Sequence, residues 1–367
     1  MTQGFVRLGE PRTFLRRQPR PEERVDQLAS TRARGGSDLV VPPAAMLERF
    51  GPPEPMMQFA HQQRQALRER FLHPGRDQRF LFIAGPCSID DSQIDGEYTA
   101  LMFAAAFANL MERLDVSEFL HGVMRFCLMK PRTGTGSRGL EEQDDILAYR
   151  LLAQAVGLRV PVAMEVMEEY HMALYGRLIS LPWVGARNVE DTFIRHAAGY
   201  YSDHAWLFKN ANRASLQDAE RACLTADESH IVRITGDDGR LRQRQSHGNA
   251  ATGIIFRGWE GMSEQQFEDT IRHAQRPLVI CVGHTNAEAH DGGRRTVSGV
   301  LRCVQHVLAL MRDGVRIEGM MIESYLLEGA DRTGQTPGMS VTDPCLSFEQ
   351  LLLPFERPCF RACLSTR

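Results

Sequence analysis

The chain predicts an α/β fold: a (β/α)8 TIM barrel with an N-terminal extension and a β-hairpin inserted before the sixth strand. Three observations predict it. Eight short apolar runs recur along the 367 residues, and most are separated by stretches with helical spacing. The runs are apolar throughout rather than alternating, the pattern of strands buried on both faces in a parallel sheet. Each run also delivers a polar or ionisable residue at or near its C-terminal end.

Residues 1–36 read as a flexible Arg-rich arm. Eight arginines fall within the first 34 positions, and no long apolar stretch suggests a secretory signal. Residues 37–78 read as an anchoring helical extension. There VVPPAAMLERF (40–50) gives a turn and short helix, and 58–71 gives a helix leading into the first strand. The barrel is expected over 79–355, with strands at 80–84, 123–128, 161–166, 183–186, 205–208, 253–256, 277–282 and 319–322. Helical spacing between them is plain at 98–114 and 296–311. Between the fifth and sixth strands, HIVRITG, Asp237-Asp238-Gly239 and RLRQRQ read as a hairpin with a turn signal. Residues 356–367 are a C-terminal tail.

Hydrophobic content of 43% supports a large core. A formal net charge of −3 gives no reason to expect nucleic acid or an anionic membrane as partner. No apolar run reaches the ~18 residues of a membrane span. The eight cysteines (87, 127, 223, 281, 303, 345, 359 and 363) form no CxxC pair. That argues against a zinc ribbon and a disulfide framework, and suggests a reducing, cytoplasmic setting.

The strand-end residues carry the chemistry. In order they are Cys87, Lys130, Glu165, Arg187, Lys209, Arg257, His284 and Glu323. In a barrel these ends converge on one face, where active sites form. Singly each is ordinary: Cys87 as a small buried residue, His284 as a hydrogen-bonded structural histidine, Asp343 as a cap before Pro344. Together they sort into two sets. Cys87, His284 and Glu323, with Asp343 in the loop after the eighth strand, are metal-ligand types. Their mixed S/N/O chemistry suits a borderline divalent ion such as Mn2+, Fe2+, Co2+ or Zn2+. Arg125, Lys130, Arg132, Arg187, Lys209 and Arg257 are cations that would repel one another around one cavity. They imply a polyanionic ligand carrying phosphate and carboxylate. With Glu165 nearby, the combination points to carbon–carbon chemistry on phosphorylated acids and aldehydes. A Gly134-x-Gly136-x-x-Gly139 string matches a dinucleotide fingerprint, but KPRT separates it from the strand and an acidic run follows almost at once.

The ordered motifs carry a resemblance. They are PPAAMLERF (42–50), GPCSID (85–90), Arg125 with KPRT (130–133), GAR (185–187), FKN (208–210), IIFRG (254–258), GHTN (283–286), ESYLLEG (323–329) and SVTDPC (340–345). Through them the chain resembles the microbial type I family of 3-deoxy-D-arabino-heptulosonate 7-phosphate (DAHP) synthases, which open the shikimate pathway to aromatic amino acids. The resemblance implies a divalent metal held by Cys87, His284, Glu323 and Asp343. It implies phosphoenolpyruvate held by Arg125, Lys130, Glu165, Gly185, Ala186, Arg187, Lys209 and Arg257. Erythrose 4-phosphate would meet Lys130, Pro131, Arg132 and Thr133, with Lys130, Cys87 and His284 in catalytic roles. A homo-oligomer, dimer or tetramer, is expected.

Several positions depart from the family pattern. Where the family has Asp-Phe-Ser-His-Ala-Asn, this chain has Cys281-Val282-Gly283-His284-Thr285-Asn286. Ser137, Arg138, Tyr325, Met339 and Ala251 also replace family residues. The changes gather around the aldehyde half and the groups behind the ligands. Two alternatives therefore stand beside the synthase reading: a homologue in secondary metabolism with a variant acceptor, and a catalytically inactive regulatory homologue. KPRT disfavours the related synthase that uses arabinose 5-phosphate.

Overall fold

The computed structural model describes residues 41–114, 120–127 and 142–351. The Arg-rich arm, the KPRT segment with Lys130, Pro131, Arg132 and Thr133, the glycine string at 134–139 and the tail lie outside them. The strands in chain order are β1 (Phe80–Gly85), β2 (Gln93–Ile94), β3 (Glu97–Tyr98), β4 (Leu120–Phe126), β5 (Val162–Val166), β6 (Leu181–Val184), β7 (Trp206–Lys209), β8 (Ile231–Thr235), β9 (Leu241–Gln245), β10 (Thr252–Phe256), β11 (Leu278–Cys281), β12 (Gly319–Tyr325) and β13 (Leu346–Ser347).

Eight of these close a barrel. Parallel neighbours run β1-β4-β5-β6-β7-β10-β11-β12, and β12 returns to β1 with Leu81 opposite Gly319 and Gly85 opposite Glu323. Among the described residues, closure pairs each of the eight barrel strands on both sides. Apolar residues dominate the barrel strands, and most of their positions are buried, as two-sided burial requires. All eight predicted strands are present. β12 runs three residues past its predicted end because Ser324 and Tyr325 pair with Leu346 and Ser347 of β13. β4 starts three residues early, at Leu120, because Phe80 and Leu81 pair with Leu120 and His121. The predicted hairpin is β8 with β9, antiparallel, turning at Gly239, whose φ of 78° suits glycine. The two-residue strands β2, β3 and β13 are too short to leave an apolar signature.

The helix Glu54–Leu72 plugs the end of the barrel where the strands begin. It carries a proline in its first turn, where a missing N–H costs little, and stops before His73-Pro74. Its Leu67 and Phe71 join Leu81, Ile83, Val123, Leu207, Ile255 and Met321 in one buried cluster. Arg70 donates to the carbonyls of Arg79 and Glu318, the residues just before β1 and β12. Ala251, one of the positions that depart from the family pattern, lies fully buried in the same cluster, where an apolar side chain fits. The helix Pro43–Phe50 precedes the plug, and Ala44 N–H donates to the Asp237 carbonyl of the hairpin turn at 3.0 Å. No helix among the described residues is long and apolar enough to cross a membrane.

His121, at the start of β4, fastens the plug through Nε2 to Gln63 Oε1 at 3.0 Å. Burial, followed by Arg79 and Arg70, pushes its pKa down from 6.5 to about 3. The unfolded chain therefore binds a proton that the folded chain excludes. This contribution is fully present above pH 6.5 and is lost as pH falls from there toward 3. Denaturation at a series of pH values should show stability falling by up to about 1.4 kcal/mol per unit over that window for this one group. His121→Gln keeps a donor for Gln63 without a titrating ring, and its slope should be shallower by that amount. An unchanged slope would show that His121 is not a source of the acid sensitivity.

Candidate active site

Barrel closure places the first two ligand types side by side. Glu323 stands opposite Gly85 in the β12–β1 register, and Cys87 follows Gly85 by two residues. A Cβ at Gly85 would lie 2.3 Å from the Arg125 carbonyl oxygen, so glycine is what permits β1 to pass β4 this closely. Arg125 Nη2 then reaches Glu323 Oε1 at 3.0 Å, and Nη1 donates to the Pro86 carbonyl.

Asp343 arrives on the long loop after β12. That loop is tied to itself by Leu327 N–H to Gly338 O at 2.9 Å and by reciprocal bonds between Gly329 and Cys345. The donor atoms of Cys87, Glu323 and Asp343 lie within 4.8 Å of one another. His284 stands beside this three-donor group: its Nε2 is 3.5 Å from Glu323 Oε1 and 3.9 Å from Asp343 Oδ2.

His284 has φ +52°, the left-handed region that side-chain-bearing residues seldom occupy. Asn286 holds the segment in place: its Nδ2 donates to Phe256 O and Cys281 O, both at 2.9 Å, and its N–H donates to Arg257 O. The conformation turns the imidazole back toward β12.

The donor chemistry fits a divalent cation. Glu323 is buried, and its Oε1 is ion-paired with Arg125 at 3.0 Å without a well-aligned hydrogen bond among the described residues. Burial, then Lys209 and Arg257, hold the His284 pKa well below the usual histidine value, so the ring is neutral and Nε2 is free to ligate. Cys87 is partly exposed as a residue, but burial of its thiol, then Glu323, push its pKa up to about 11. Three S and O donors within 4.8 Å of one another, with the His284 Nε2 beside both carboxylates, suit a borderline transition ion.

The cationic half adjoins it. Lys209 ends β7 and is buried, and it lies near enough to depress the His284 pKa. Arg257 follows β10; its N–H donates to Asn210 Oδ1 at 2.8 Å, and its carbonyl accepts from Thr285 Oγ1 at 2.6 Å. Arg125 lies over the Trp183 ring at 5.5 Å. Glu165 accepts from the Cys127 thiol at 3.4 Å. A Cβ at Gly185 would sit 2.1 Å from Glu165 Oε1, so glycine there makes room for the carboxylate. Ala186 is half-buried and Arg187 exposed in the turn after β6. Arg187 thus stands outside the buried group.

The structure adds residues to which the sequence assigned no role. Asn210 and Asn286 end the FKN and GHTN motifs and clamp the Arg257 and His284 segments; their place in motifs was the available signal. Cys281, an aspartate in the family pattern, has Sγ 3.3 Å from His284 Nδ1. Were Nε2 to ligate an ion, Nδ1 would carry the proton and donate to sulfur, the outer partner a ligating histidine needs. Tyr325 meets Thr99 Oγ1 at 2.5 Å, Thr99 meets Ser92 Oγ at 2.6 Å, and Ser92 N–H donates to Asp90 at 2.9 Å. This chain braces the segment that follows Cys87. Beside the cluster, a cleft of about 750 Å³ is lined by Asn212, Arg257, Glu260, Thr285, Glu288 and Arg295 among others.

Residues 62–350 match the model of the DAHP synthetase I family. The chain belongs to this family. It is 31% identical over 299 residues to the Tyr-sensitive phospho-2-dehydro-3-deoxyheptonate aldolase of Escherichia coli strain K12, covering 75% of this chain and 80% of that one. It is 29% identical over 355 residues to the Trp-sensitive aldolase of Salmonella typhimurium, covering 91% and 97%. The phospho-2-dehydro-3-deoxyheptonate aldolase structure from Francisella tularensis SCHU S4 superposes with a TM-score of 0.76 at 22% identity, covering 91% of this chain and 98% of that one. That superposition independently supports the closed barrel as this family member's fold.

Ion uptake at this cluster has a proton signature. Cys87 must lose a proton to ligate, whereas His284 is already neutral. Near pH 7, Mn2+ uptake should release about one proton and its affinity should rise with pH, by up to about tenfold per unit. Calorimetry in buffers of different ionisation enthalpy measures this, and Cys87→Ser should largely abolish the release. No release from the parent protein would remove Cys87 from the ligand set.

Proposed function

We propose that the chain is a DAHP synthase, condensing phosphoenolpyruvate with D-erythrose 4-phosphate to give 3-deoxy-D-arabino-heptulosonate 7-phosphate and phosphate. The observation that carries this reading is the juxtaposition of the Cys87, His284, Glu323 and Asp343 donors with the cations Arg125, Lys209 and Arg257. Family membership supports the same reaction.

In this reading the four donors hold a divalent ion, Mn2+, Fe2+, Co2+ or Zn2+. When bound, such an ion supplies Lewis-acid polarisation of an aldehyde carbonyl. Arg125, Lys209, Arg257 and Arg187 bind the carboxylate and phosphate of phosphoenolpyruvate, and Arg forks suit both groups. Glu165, with Gly185 and Ala186, shapes the wall behind it. C3 of phosphoenolpyruvate attacks the aldehyde carbon, and Lys130 delivers a proton to the resulting alkoxide. Water adds at C2, and phosphate leaves from that carbon as the tetrahedral centre collapses. The arginines stabilise the charge that builds on the departing phosphate. Pro131, Arg132 and Thr133 hold the aldehyde and its phosphate. A cytoplasmic homo-oligomer, dimer or tetramer, belongs to the same reading.

The variant-acceptor alternative has one observation in its favour. A Cβ at Gly283 would make ordinary contact with Glu323 Oε2 at 3.7 Å, so glycine in place of the family's serine gives up a side chain that the space beside Glu323 would admit.

The deciding assay is phosphate release from phosphoenolpyruvate with Mn2+ across a panel of aldehydes that includes erythrose 4-phosphate and arabinose 5-phosphate. Release is expected with erythrose 4-phosphate. Release only with another aldehyde would favour the variant-acceptor reading, and no release with any would favour the inactive homologue. Cys87→Ala should abolish turnover. Arg257→Ala should raise the KM for phosphoenolpyruvate about tenfold or more, the loss expected when a charged hydrogen-bond donor is removed. An unchanged KM would assign Arg257 to something other than this substrate.

A further inference from the structure

Arg295 lies outside every motif, yet it joins the two ligand-bearing segments that barrel pairing does not fix. Its Nη1 donates to Asp343 Oδ1 at 3.0 Å, across 48 residues of chain. Its Nε and Nη2 both donate to Glu288 Oε1, at 3.0 and 2.7 Å. Glu288 stands on the short helix His284–Ala289, which His284 begins. The guanidinium therefore clips the His284 helix to the Asp343 loop.

The chain arranges this by turning sharply. Gly292 and Gly293 have φ of 59° and 82°, and Gly293 N–H donates back to Glu288 O at 2.9 Å. That reversal returns Arg295 to the helix it has just left. The clip also divides the carboxylate of Asp343. Oδ1 is occupied by Arg295, and Oδ2 is left facing His284 Nε2 at 3.9 Å. Without this bond Asp343 would rest on a loop with its carboxylate free to rotate.

We propose that Arg295 is a positioning residue for the metal site, holding Asp343 by one oxygen so that the other faces the ion, with Glu288 fixing Arg295 in turn. The inference rests on the ligand set of the proposed function. Two effects oppose each other. Arg295 is a cation near a cation site, so its removal relieves repulsion. Glu288 already neutralises much of that charge at 2.7 Å, so orientation dominates and removal weakens binding. Groups that orient a metal ligand are typically worth about 10–100-fold in affinity.

The test is Mn2+ affinity of the full chain, read from the electron paramagnetic resonance signal of free Mn2+, with thermal unfolding in chelator as a check on folding. Arg295→Ala should weaken Mn2+ binding about 10–100-fold. Arg295→Lys retains one donor but not the fork and should recover part of the loss. Glu288→Gln loosens the clip from its other end and should also weaken binding, and it carries the test if Arg295→Ala fails to fold. Folded variants that bind Mn2+ as the parent does, or more tightly, would overturn the positioning role while leaving the metal site intact. A parent protein that binds no Mn2+ would overturn the ligand set and this inference with it.

Discussion

The pairing of β12 with β1 is the constraint on which the site depends. It closes the barrel, and it sets Glu323 opposite Gly85. Parallel pairing fixes register residue by residue, and a shift of one would turn every side chain to the other face. Cys87 follows Gly85 by two residues and Arg125 sits on the next strand, so one closure delivers a thiol, a carboxylate and a guanidinium to a single place. The plug helix serves the same closure from the opposite end. Arg70 bonds to the carbonyls that precede both β1 and β12.

The other two candidate ligands lie farther from a paired strand. His284 is three residues past Cys281, the last residue of β11, and Asp343 is on a loop. Each is held by side chains instead. Asn286 ties the His284 turn to Phe256 and Cys281, and the left-handed φ of His284 persists because those bonds over-determine it. Backbone bonds fold the loop that carries Asp343 back on itself. The β12–β1 pairing thus places Glu323 and, two residues past β1, Cys87, while hydrogen-bonded turns place His284 and Asp343.

The electrostatics of the cluster follow from the mixture of charges. Carboxylates alone at this spacing would repel, and buried cations alone would repel. Arg125 against Glu323 lowers both costs, though it leaves Glu323 Oε1 without a hydrogen bond. Burial first, and then Lys209 and Arg257, hold His284 toward its neutral form, the one able to ligate. The cationic half therefore has two effects: it attracts anions, and it prepares the histidine.

The sequence by itself determined the barrel, its hairpin insertion and the residue types at the strand ends. Two-sided burial forces continuous apolar runs, and each run ends where solvent and chemistry begin. Boundaries slipped by a few residues, at β4 and β12, because pairing partners rather than apolar content decide where a strand starts and stops. The gathering of Cys87, His284, Glu323 and Asp343 was legible as chemistry and through family motifs. Their facing geometry was not, since it depends on the β12–β1 register and on a backbone torsion at His284. Arg295, Glu288 and the Cys281 contact to His284 left no trace in the pattern at all. Ion pairs across 48 residues and contacts made around a turn have no period, and only the folded chain brings such groups together.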